Sequence, residues 1–260
     1  MGDAEIALSA REAGTRGWVR RVAPADWLIG VQAESLDAAV RGSWLTLIGA
    51  LLRSPGLEWL TRIDDISAAE NKLVLDAAAR RLGLATPVTL VTNDPSLVRS
   101  ELGGVVSAKP LGPGHYFTGD RAFNVFATEV STSDLDHAAL AQAPFLLQER
   151  LHARVHHRVV VVDGQVWGAS LDATNLPLDW RSEPRAHRSF VANAIPRDLA
   201  VAAVALAAEL RLGYSSQDWI ETDSTFAVLD VNPGGQWMFL PEPLGDEVAS
   251  AIARWLSHGS

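Results

Sequence analysis

The sequence has no cysteine among its 260 residues. Disulfides, thiolate nucleophiles and cysteine-ligated zinc are therefore excluded, and the composition fits a cytoplasmic protein. Long apolar runs are also missing, because the longest, residues 44–52 and 199–208, are too short to cross a bilayer. Residues 1–20 lack the basic-then-apolar pattern of a signal peptide. We therefore expect a soluble, cytoplasmic protein with no membrane partner.

Positive charge is scarce as well. The chain has 22 Lys and Arg against 31 Asp and Glu, a net charge of −9, whereas nucleic-acid binding needs clustered cations. A nucleic-acid partner is therefore not expected. The chain also lacks a Walker loop, a dinucleotide-binding glycine fingerprint and a Gly-x-Ser-x-Gly motif. What remains is ample apolar material, since hydrophobic residues make up 48% of the chain and allow a sizeable core.

The pattern of apolar residues and turn signals predicts an α+β fold with antiparallel hairpins. The firmest local signal is Asp163-Gly164 between two apolar runs, which predicts a hairpin. Predicted helices span residues 36–52, 67–82, 196–212 and 247–256. Ser67 would cap the second of these, and Gly83 and Gly213 would stop the second and third. Predicted strands span residues 27–31, 88–92, 105–109, 123–127, 145–148, 158–162, 165–171, 214–221 and 226–231.

The last predicted strand ends with oxygen-bearing side chains. Asp230 and Asn232 are two positions apart and so share a face, and Asp218 on the preceding strand would lie opposite Asp230. Unpaired carboxylates facing each other across a sheet favour a cation between them, and Mg²⁺ takes such oxygen ligands. A solvated strand end with an Asx turn remains the alternative.

Several cations stand where they could meet phosphate. Lys109 ends an apolar strand just before a Gly/Pro loop, whose amides would add further donors. Lys72 lies in a predicted helix, Arg158 precedes a valine run, and Arg181 follows Asp179-Trp180. For each of them, a solvated side chain or an ordinary ion pair is the alternative.

Three histidines, His152, His156 and His157, form a cluster in the sequence. A spacing of four could bind zinc on a helix, but this segment is predicted to be loop and strand. A structural role is therefore favoured.

Taken together, these features resemble the ATP-grasp superfamily, and more closely its branch of ribosomal-peptide maturases, the graspetide or microviridin-type synthetases. The motif that carries most of the resemblance is Asn232-Pro233-Gly234-Gly235-Gln236-Trp237 together with Asp179-Trp180-Arg181. The other segments, in order, are Ala69–Lys72, Gly83–Pro87, Val91–Pro95, Ala108–Leu111, Leu147–Glu149, Arg158–Val162, Asp218 and Asp230.

The resemblance implies roles for individual residues. Lys72 and Lys109 would contact ATP, and Gln148, Glu149, Arg150 and Leu151 would form the hinge that meets adenine. Arg158 and Arg181 would steady the transferring phosphoryl group, and Asp218, Asp230 and Asn232 would hold Mg²⁺. The family usually has Glu at the position of Asp230. His156 stands at a nucleotide or metal contact position where related ligases carry an acidic residue.

The resemblance also implies an activity and a domain plan. ATP would activate Asp or Glu side chains of a ribosomal precursor peptide as acyl phosphates, which alcohols or amines then attack to close ω-ester or ω-amide crosslinks. The implied domains are a shortened N-terminal region, 1–66, and an ATP-grasp domain, 67–260, with lobes 67–147 and 148–260. A homodimer is suggested.

Two alternatives remain open. The first is an ATP-grasp ligase that joins a free amino acid or another small molecule. The second is a non-catalytic peptide-binding protein that has kept the fold, a reading motivated by His156, Asp230 and the short N-terminal region.

Overall fold

The structure, a computed structural model, describes residues 15–22, 31–111, 115–118, 121–124, 127–135, 140–183 and 185–257. The helices are α1 (Leu36–Leu51), α2 (Ile63–Ala69), α3 (Lys72–Arg81), α4 (Pro95–Glu101), α5 (Arg197–Glu209) and α6 (Leu244–Ser257). The strands are β1 (Thr15–Gly17), β2 (Leu57–Trp59), β3 (Thr89–Thr92), β4 (Val105–Pro110), β5 (His115–Thr118), β6 (Arg121–Asn124), β7 (Thr128–Ser131), β8 (Phe145–Glu149), β9 (Val155–Val162), β10 (Gln165–Asp172), β11 (Val191–Ala192), β12 (Tyr214–Glu221) and β13 (Phe226–Asn232).

The largest sheet has five antiparallel strands in the order β11-β10-β9-β12-β13. The predicted hairpin at Asp163-Gly164 is confirmed, and both turn residues have positive φ, 47° and 76°, as a two-residue hairpin turn requires. Helices cover both faces of this sheet. Strand β9 is therefore buried on both faces, which explains its unbroken run of valines.

Two apolar clusters hold those helices in place. On one face Val159, Val161 and Trp219 pack with Leu199 and Leu206 of α5. On the other face the apolar cluster combines aliphatic residues of β9 and α6 with aromatic rings, namely Val160, Val162, Trp180, Tyr214, Trp237, Val248 and Ile252. Along β9, residues of odd and even number thus contribute to opposite cores, as the alternation of side chains along a strand dictates.

A second sheet has four antiparallel strands in the order β3-β8-β4-β7. One face packs Val106 and Leu147 against Val98 of α4. The opposite face is polar, and it carries Thr89, Ser107, Lys109 and Gln148. The segment between β8 and β9 joins the two sheets.

The predicted helix over residues 67–82 is wrong in one respect, because the chain forms two helices there. Asn71, rather than Ser67, caps α3 by accepting a hydrogen bond from the Leu73 amide at 2.9 Å. Ser67 lies inside α2, where its hydroxyl donates to the Ile63 carbonyl. The break between α2 and α3 leaves Glu70 and Lys72 at the junction of the two helices.

The predicted stop of the third helix at Gly213 is also wrong. Helix α5 ends at Glu209, and the left-handed residue after it is Arg211, with φ 54°. Gly213 serves a different purpose, because a Cβ there would lie 1.8 Å from the Leu60 carbonyl oxygen. Its absence of a side chain permits this close backbone approach.

Most of the remaining predicted elements agree with the structure to within a few residues. The predicted strand over residues 123–127 does not, because β6 ends at Asn124 and Ala127 lies outside a strand, and Val31, the described end of the predicted strand 27–31, lies outside a strand as well. Residues 27–30 and 125–126, in two of the predicted strands, and residues 112–114 of the Gly/Pro loop lie outside the described residues. The predicted boundary between lobes, at residues 147 and 148, falls inside β8, and the division into domains stays a prediction. Within the described ranges, every helix falls short of the length and apolar character needed to span a membrane.

Candidate functional site

A cavity of about 320 Å³ lies between the two sheets. We call it the first cavity. Its walls come from the polar face of the four-stranded sheet, the segment that joins the sheets, strands β9, β12 and β13, the start of α3 and the segment from Ala173 to Arg181. Ten of the twelve predicted site residues line it: Lys72, Lys109, Gln148, Glu149, Arg150, Leu151, His156, Arg181, Asp218 and Asp230. This size and mixed lining are typical of a small-molecule site.

The four-stranded sheet contributes a fixed cation. Lys109 Nζ donates to Gln148 Oε1 at 2.8 Å, and Gln148 Nε2 donates to the Thr89 hydroxyl at 2.9 Å. This chain of hydrogen bonds fixes the amide of Gln148 with its oxygen toward the lysine. Ser107 lines the cavity beside them, and its buried hydroxyl has no partner among the described residues. A buried hydroxyl without a partner is costly unless a ligand or water satisfies it.

The segment joining the sheets forms one edge of the cavity from Gln148 to Ala153. Glu149 is tied to the start of β3, because its carboxylate accepts from the Val88 amide at 2.9 Å. Arg150 forms an ion pair with Glu129 on β7 at 2.7 Å. The side chains of both residues are therefore engaged by the protein.

The five-stranded sheet carries a row of charges across three neighbouring strands. Arg158 on β9 lies opposite Asp218 on β12, and Asp218 lies opposite Asp230 on β13. The predicted juxtaposition of the two aspartates is confirmed. Arg158 Nη1 contacts Asp218 Oδ1 at 2.5 Å, and Lys72 Nζ contacts Asp230 Oδ1 at 3.3 Å.

Those ion pairs correct one step of the sequence reasoning. The aspartates are not unpaired like charges that need a metal ion, because Arg158 and Lys72 already supply positive charge. No group of three or more His, Asp or Glu side chains in the described part of the chain is arranged to hold a metal. The oxygen set of Asp218, Asp230 and Asn232 is nevertheless of the kind that Mg²⁺ prefers. Its role as a metal site stays a prediction.

A second cavity, of about 960 Å³, adjoins the first. The predicted residues Arg158 and Asn232 line this second cavity rather than the first. Lys72, Arg181 and Asp230 line both cavities and so stand at their junction. The two lysines at positions 72 and 109 are the only lysines in the sequence, and both reach the first cavity. Every other basic side chain except histidine is arginine.

Arg181 is held at the junction by Asp179. The guanidinium donates to both carboxylate oxygens, with distances of 2.8 and 2.7 Å. Burial alone would raise the pKa of Asp179, yet hydrogen bonds from Arg181 hold it below its usual range. The same contact raises the pKa of Arg181, which therefore stays charged. This planar, bidentate pair fixes one edge of the guanidinium, formed by Nε and Nη2, and leaves its other N–H groups for a ligand.

Lys109 and His156, which line the first cavity, both have lowered pKa values. Burial lowers the pKa of Lys109, the neighbouring charge of Lys72 lowers it further, and Asp230 opposes this. Burial also lowers the pKa of His156, although Asp218 and Asp179 favour its charged form. The lowered pKa favours the neutral form of His156, whereas an anionic ligand would stabilise the charged form of Lys109.

The structural role favoured for the three histidines stays a prediction. His157 lines the first cavity as well, and its Nε2 contacts Glu221 at 3.3 Å while its ring meets Phe226 edge-on. His156 and His152 line the first cavity from different parts of the chain path.

The sequence reasoning missed three cavity residues. Asp179 was noted only as part of a motif, although its burial between Ala127 and Arg181 makes it the anchor of Arg181. Ser107 alternates with Lys109 along β4, and that period of two was the available signal. The third is Glu70, and no local pattern in the sequence indicates that it lines the second cavity.

No protein-family model matches the chain, and a search of curated proteins finds no match. Solved structures do match. The macrocyclase MdnC bound with precursor peptide MdnA, from Microcystis aeruginosa MRC, has a TM-score of 0.78 and 22% identity over 96% of this chain and 80% of that one. A RiPP-associated ATP-grasp ligase from Chryseobacterium gregarium, in complex with ADP and a leader and core peptide, has a TM-score of 0.81 and 20% identity over 95% and 77%.

The macrocyclase MdnB from Microcystis aeruginosa MRC is 26% identical, with a TM-score of 0.69, over 93% of this chain and 76% of that one. These likenesses establish that the chain has the ATP-grasp fold, as the sequence predicted. A fold by itself does not fix an activity, so the activity has to be argued from the cavities and their residues.

Proposed function

We propose that this protein is an ATP- and Mg²⁺-dependent ligase that closes ω-ester or ω-amide crosslinks in a ribosomal precursor peptide. The observation that carries the proposal is the junction of the two cavities, where Lys72, Arg181 and Asp230 line both at once. One cavity suits a nucleotide, and the other is large enough for peptide side chains. A phosphoryl group would pass from the first cavity to the second beside the cations that both cavities share, Lys72 and Arg181.

The residues of the first cavity fit a nucleotide. Lys109 is half-buried and feels the charge of Lys72, and two neighbouring cations are stabilised when they face the oxygens of a polyphosphate. The unpartnered Ser107 hydroxyl provides a hydrogen-bonding group deeper in the same wall. The joining segment, Gln148 to Leu151, offers backbone amides and carbonyls at the edge, which suits adenine.

The donor set on β12 and β13 fits a magnesium ion. Asp218, Asp230 and Asn232 would hold it, and their oxygens are hard ligands. When bound, MgATP supplies the phosphoryl group that converts a carboxylate into an acyl phosphate open to attack by an alcohol or amine. Ion binding would compete with Lys72 for Asp230, which would release the lysine to meet phosphate.

The arginines fit the charge that such a transfer creates. Arg158 reaches the second cavity with its guanidinium donating to the Gln236 carbonyl at 3.2 Å. Arg181 is oriented by Asp179 at the junction. Fixed guanidinium groups stabilise developing negative charge without rearranging, and phosphoryl transfer relies on this kind of positioning.

A peptide substrate is supported by the second cavity and by the structural likenesses. The cavity is about three times as large as the first and is rich in arginine, which suits acidic side chains of a peptide. MdnC and the Chryseobacterium gregarium ligase are bound with precursor or core peptides. We place the reaction in the cytoplasm, where the precursor and ATP are both made available.

We also propose a homodimer. Helix α1 has no buried residue, and Leu36, Val40, Trp44 and Leu47 are exposed along one side of it at helical spacing. An exposed apolar stripe of this kind usually packs against a partner protein. Multi-angle light scattering of the protein and of Trp44→Glu tests this, since only the unmodified chain should have the dimer mass.

The function is tested by incubating the protein with MgATP and the precursor peptide encoded beside its gene. We expect ADP release that depends on the peptide, and a peptide that loses one water for each crosslink. Asp218→Asn and Lys109→Met should abolish or greatly slow both. A mass gain on an added free amino acid, with no peptide required, would instead indicate a small-molecule ligase. No heat on titration with millimolar MgATP would indicate a non-catalytic binding protein.

A further inference from the structure

Glu70 lines the second cavity from the junction between α2 and α3. Its backbone amide closes the last turn of α2 by donating to the Ile66 carbonyl at 3.1 Å, and its side chain leaves the helix there. The charged and titratable side chains around the same cavity are Arg20, Arg21, Lys72, Arg158, Arg181, His187 and Asp230. Glu70 is thus a carboxylate in a space dominated by cations.

Glu70 differs from the other carboxylates near the two cavities in having no fixed partner. Asp218, Asp230 and Asp179 are engaged by Arg158, Lys72 and Arg181, respectively. Among the described residues, the Glu70 carboxylate has neither a salt bridge nor a hydrogen bond. The neighbouring charge that acts on its pKa is that of Arg21. Its oxygens are therefore available to a ligand.

The protonation of Glu70 suits proton transfer. Partial burial raises the pKa of its carboxyl above the ordinary value of 4.5, and the charge of Arg21 opposes this only in part. A carboxylate with a raised pKa is a stronger base toward the attacking group. Arginines in the same cavity cannot accept a proton there.

Building on the proposed function, we propose that Glu70 is the general base that accepts the proton of the attacking alcohol or amine. The nucleophile forms a bond to the carbonyl carbon of the activated carboxyl group. The bond from that carbon to the phosphate oxygen breaks, and phosphate leaves with the electron pair. The proton of the hydroxyl or amine passes to the Glu70 carboxylate and then to solvent.

The other proton acceptors in the second cavity are less suited. Asp230 is paired with Lys72 and belongs to the proposed magnesium site. His187 is packed edge-on against Trp180 and Phe239, with ring centroids 4.8 and 5.5 Å away. Glu70, in contrast, can accept a proton from the attacking alcohol or amine without breaking a contact that the structure already makes.

The test separates activation of the carboxylate from ring closure. Glu70→Gln keeps the size of the side chain and removes its basicity, and Glu101→Gln, on the exposed end of α4, is the matched control. We expect Glu70→Gln to slow crosslink formation by about 100-fold or more, the usual contribution of a general base. Hydroxylamine, which needs no base, should trap the activated peptide as a hydroxamate at an unchanged rate. The affinity for the precursor, measured by calorimetry, should stay within about twofold.

A pH profile provides the second readout. Closure by the unmodified protein should rise with pH through the raised pKa of Glu70, since only the ionised form accepts a proton. Glu70→Gln should lose this acidic limb, whereas Glu101→Gln and His187→Gln should keep it. An acidic limb that disappears in His187→Gln and persists in Glu70→Gln would overturn the assignment.

The outcomes also distinguish this inference from the proposed function. If the unmodified protein forms ADP and crosslinks but Glu70→Gln closes rings at the normal rate, only the role of Glu70 is wrong. Loss of hydroxamate together with closure in Glu70→Gln would also refute it, because the residue would then act before the closing step. If the unmodified protein forms no hydroxamate with MgATP and precursor, the ligase function itself fails.

Discussion

Replacing Asp218 by Asn should destabilise the fold markedly, whatever ligand the site binds. Asp218 and Arg158 pair across β12 and β9 with side chains only 16% and 9% exposed. The amide keeps the shape of the carboxylate and removes its charge. Arg158 would then hold a buried positive charge with no anionic partner, facing neutral groups such as the Gln236 carbonyl and the Phe239 ring, and its Nε already lacks a partner among the described residues.

The expected loss of stability follows from that burial. Two unit charges about 4 Å apart at an effective dielectric constant of about 20 attract each other by about 4 kcal/mol. Because Asp218 retains some contact with water, we expect a loss of about 3 kcal/mol, at the lower end of values for breaking a buried ion pair. With a urea m-value of about 3 kcal/mol per molar, the midpoint of unfolding should fall by about 1 M.

Equilibrium unfolding in urea, followed by tryptophan fluorescence, measures this loss. Asp223→Asn is the matched control, because Asp223 meets Arg154 at 3.7 Å with 94% of its side chain exposed, and its loss should cost less than about 1 kcal/mol. Arg158→Met combined with Asp218→Asn should cost less than the sum of the two single changes. If Asp218→Asn unfolds at the same urea concentration as Asp223→Asn, the pair is not buried as described and the reasoning is refuted.

Three further predictions concern single residues. Lys109→Met should weaken nucleotide binding, measured by calorimetry, by about 10- to 100-fold, which is the loss expected for one charged hydrogen bond. The unfolding midpoint should not fall, because desolvating the Lys109 cation is itself costly. An unchanged affinity would remove Lys109 from the nucleotide site. In the unmodified protein, affinity should fall as pH rises through the lowered pKa of Lys109, and that fall should vanish in Lys109→Met. Gly213→Ala should lower the free energy of unfolding by at least about 3 kcal/mol, since the added Cβ would overlap the Leu60 carbonyl. The control is Gly42→Ala in α1, where an added Cβ has nothing within 4 Å, and this change should be neutral or stabilising. Equal stabilities of the two variants in thermal or urea unfolding would contradict the close approach.

Local patterns were sufficient for most of the elements. The Asp163-Gly164 hairpin follows from a two-residue turn that needs positive φ, and β12 and β13 follow from apolar runs on either side of a polar turn. Given those strands, the juxtaposition of Asp218 and Asp230 follows from the pairing register alone. These predictions rest on interactions between residues close in sequence, which local chemistry determines.

The predictions that were wrong concern competition between alternatives of similar local strength. Ser67 and Asn71 are both good caps, and only tertiary packing decides that α3 begins after Asn71. Gly213 has the appearance of a helix stop, but its position is fixed by Leu60, more than 150 residues earlier in the chain. Single-sequence reasoning has no access to that contact.

The site shows the same division. The charged residues could be identified singly, but their partners could not. Lys72 meets Asp230 across 158 positions, and Arg158 meets Asp218 across 60. The second cavity is built from residues 19–22, 63–72 and 231–239 together with side chains such as Arg181, so its existence depends on the whole fold. Glu70 acquires its environment only there.

The most direct test of the central claim is mass spectrometry of the precursor peptide after incubation with the protein and MgATP, with ADP measured in the same reaction. We expect peptide-dependent ADP release and the loss of one water for every crosslink formed. A peptide whose mass does not change, beside a nucleotide that is not consumed, would contradict the claim that the two cavities and their shared cations form the site of a peptide ligase.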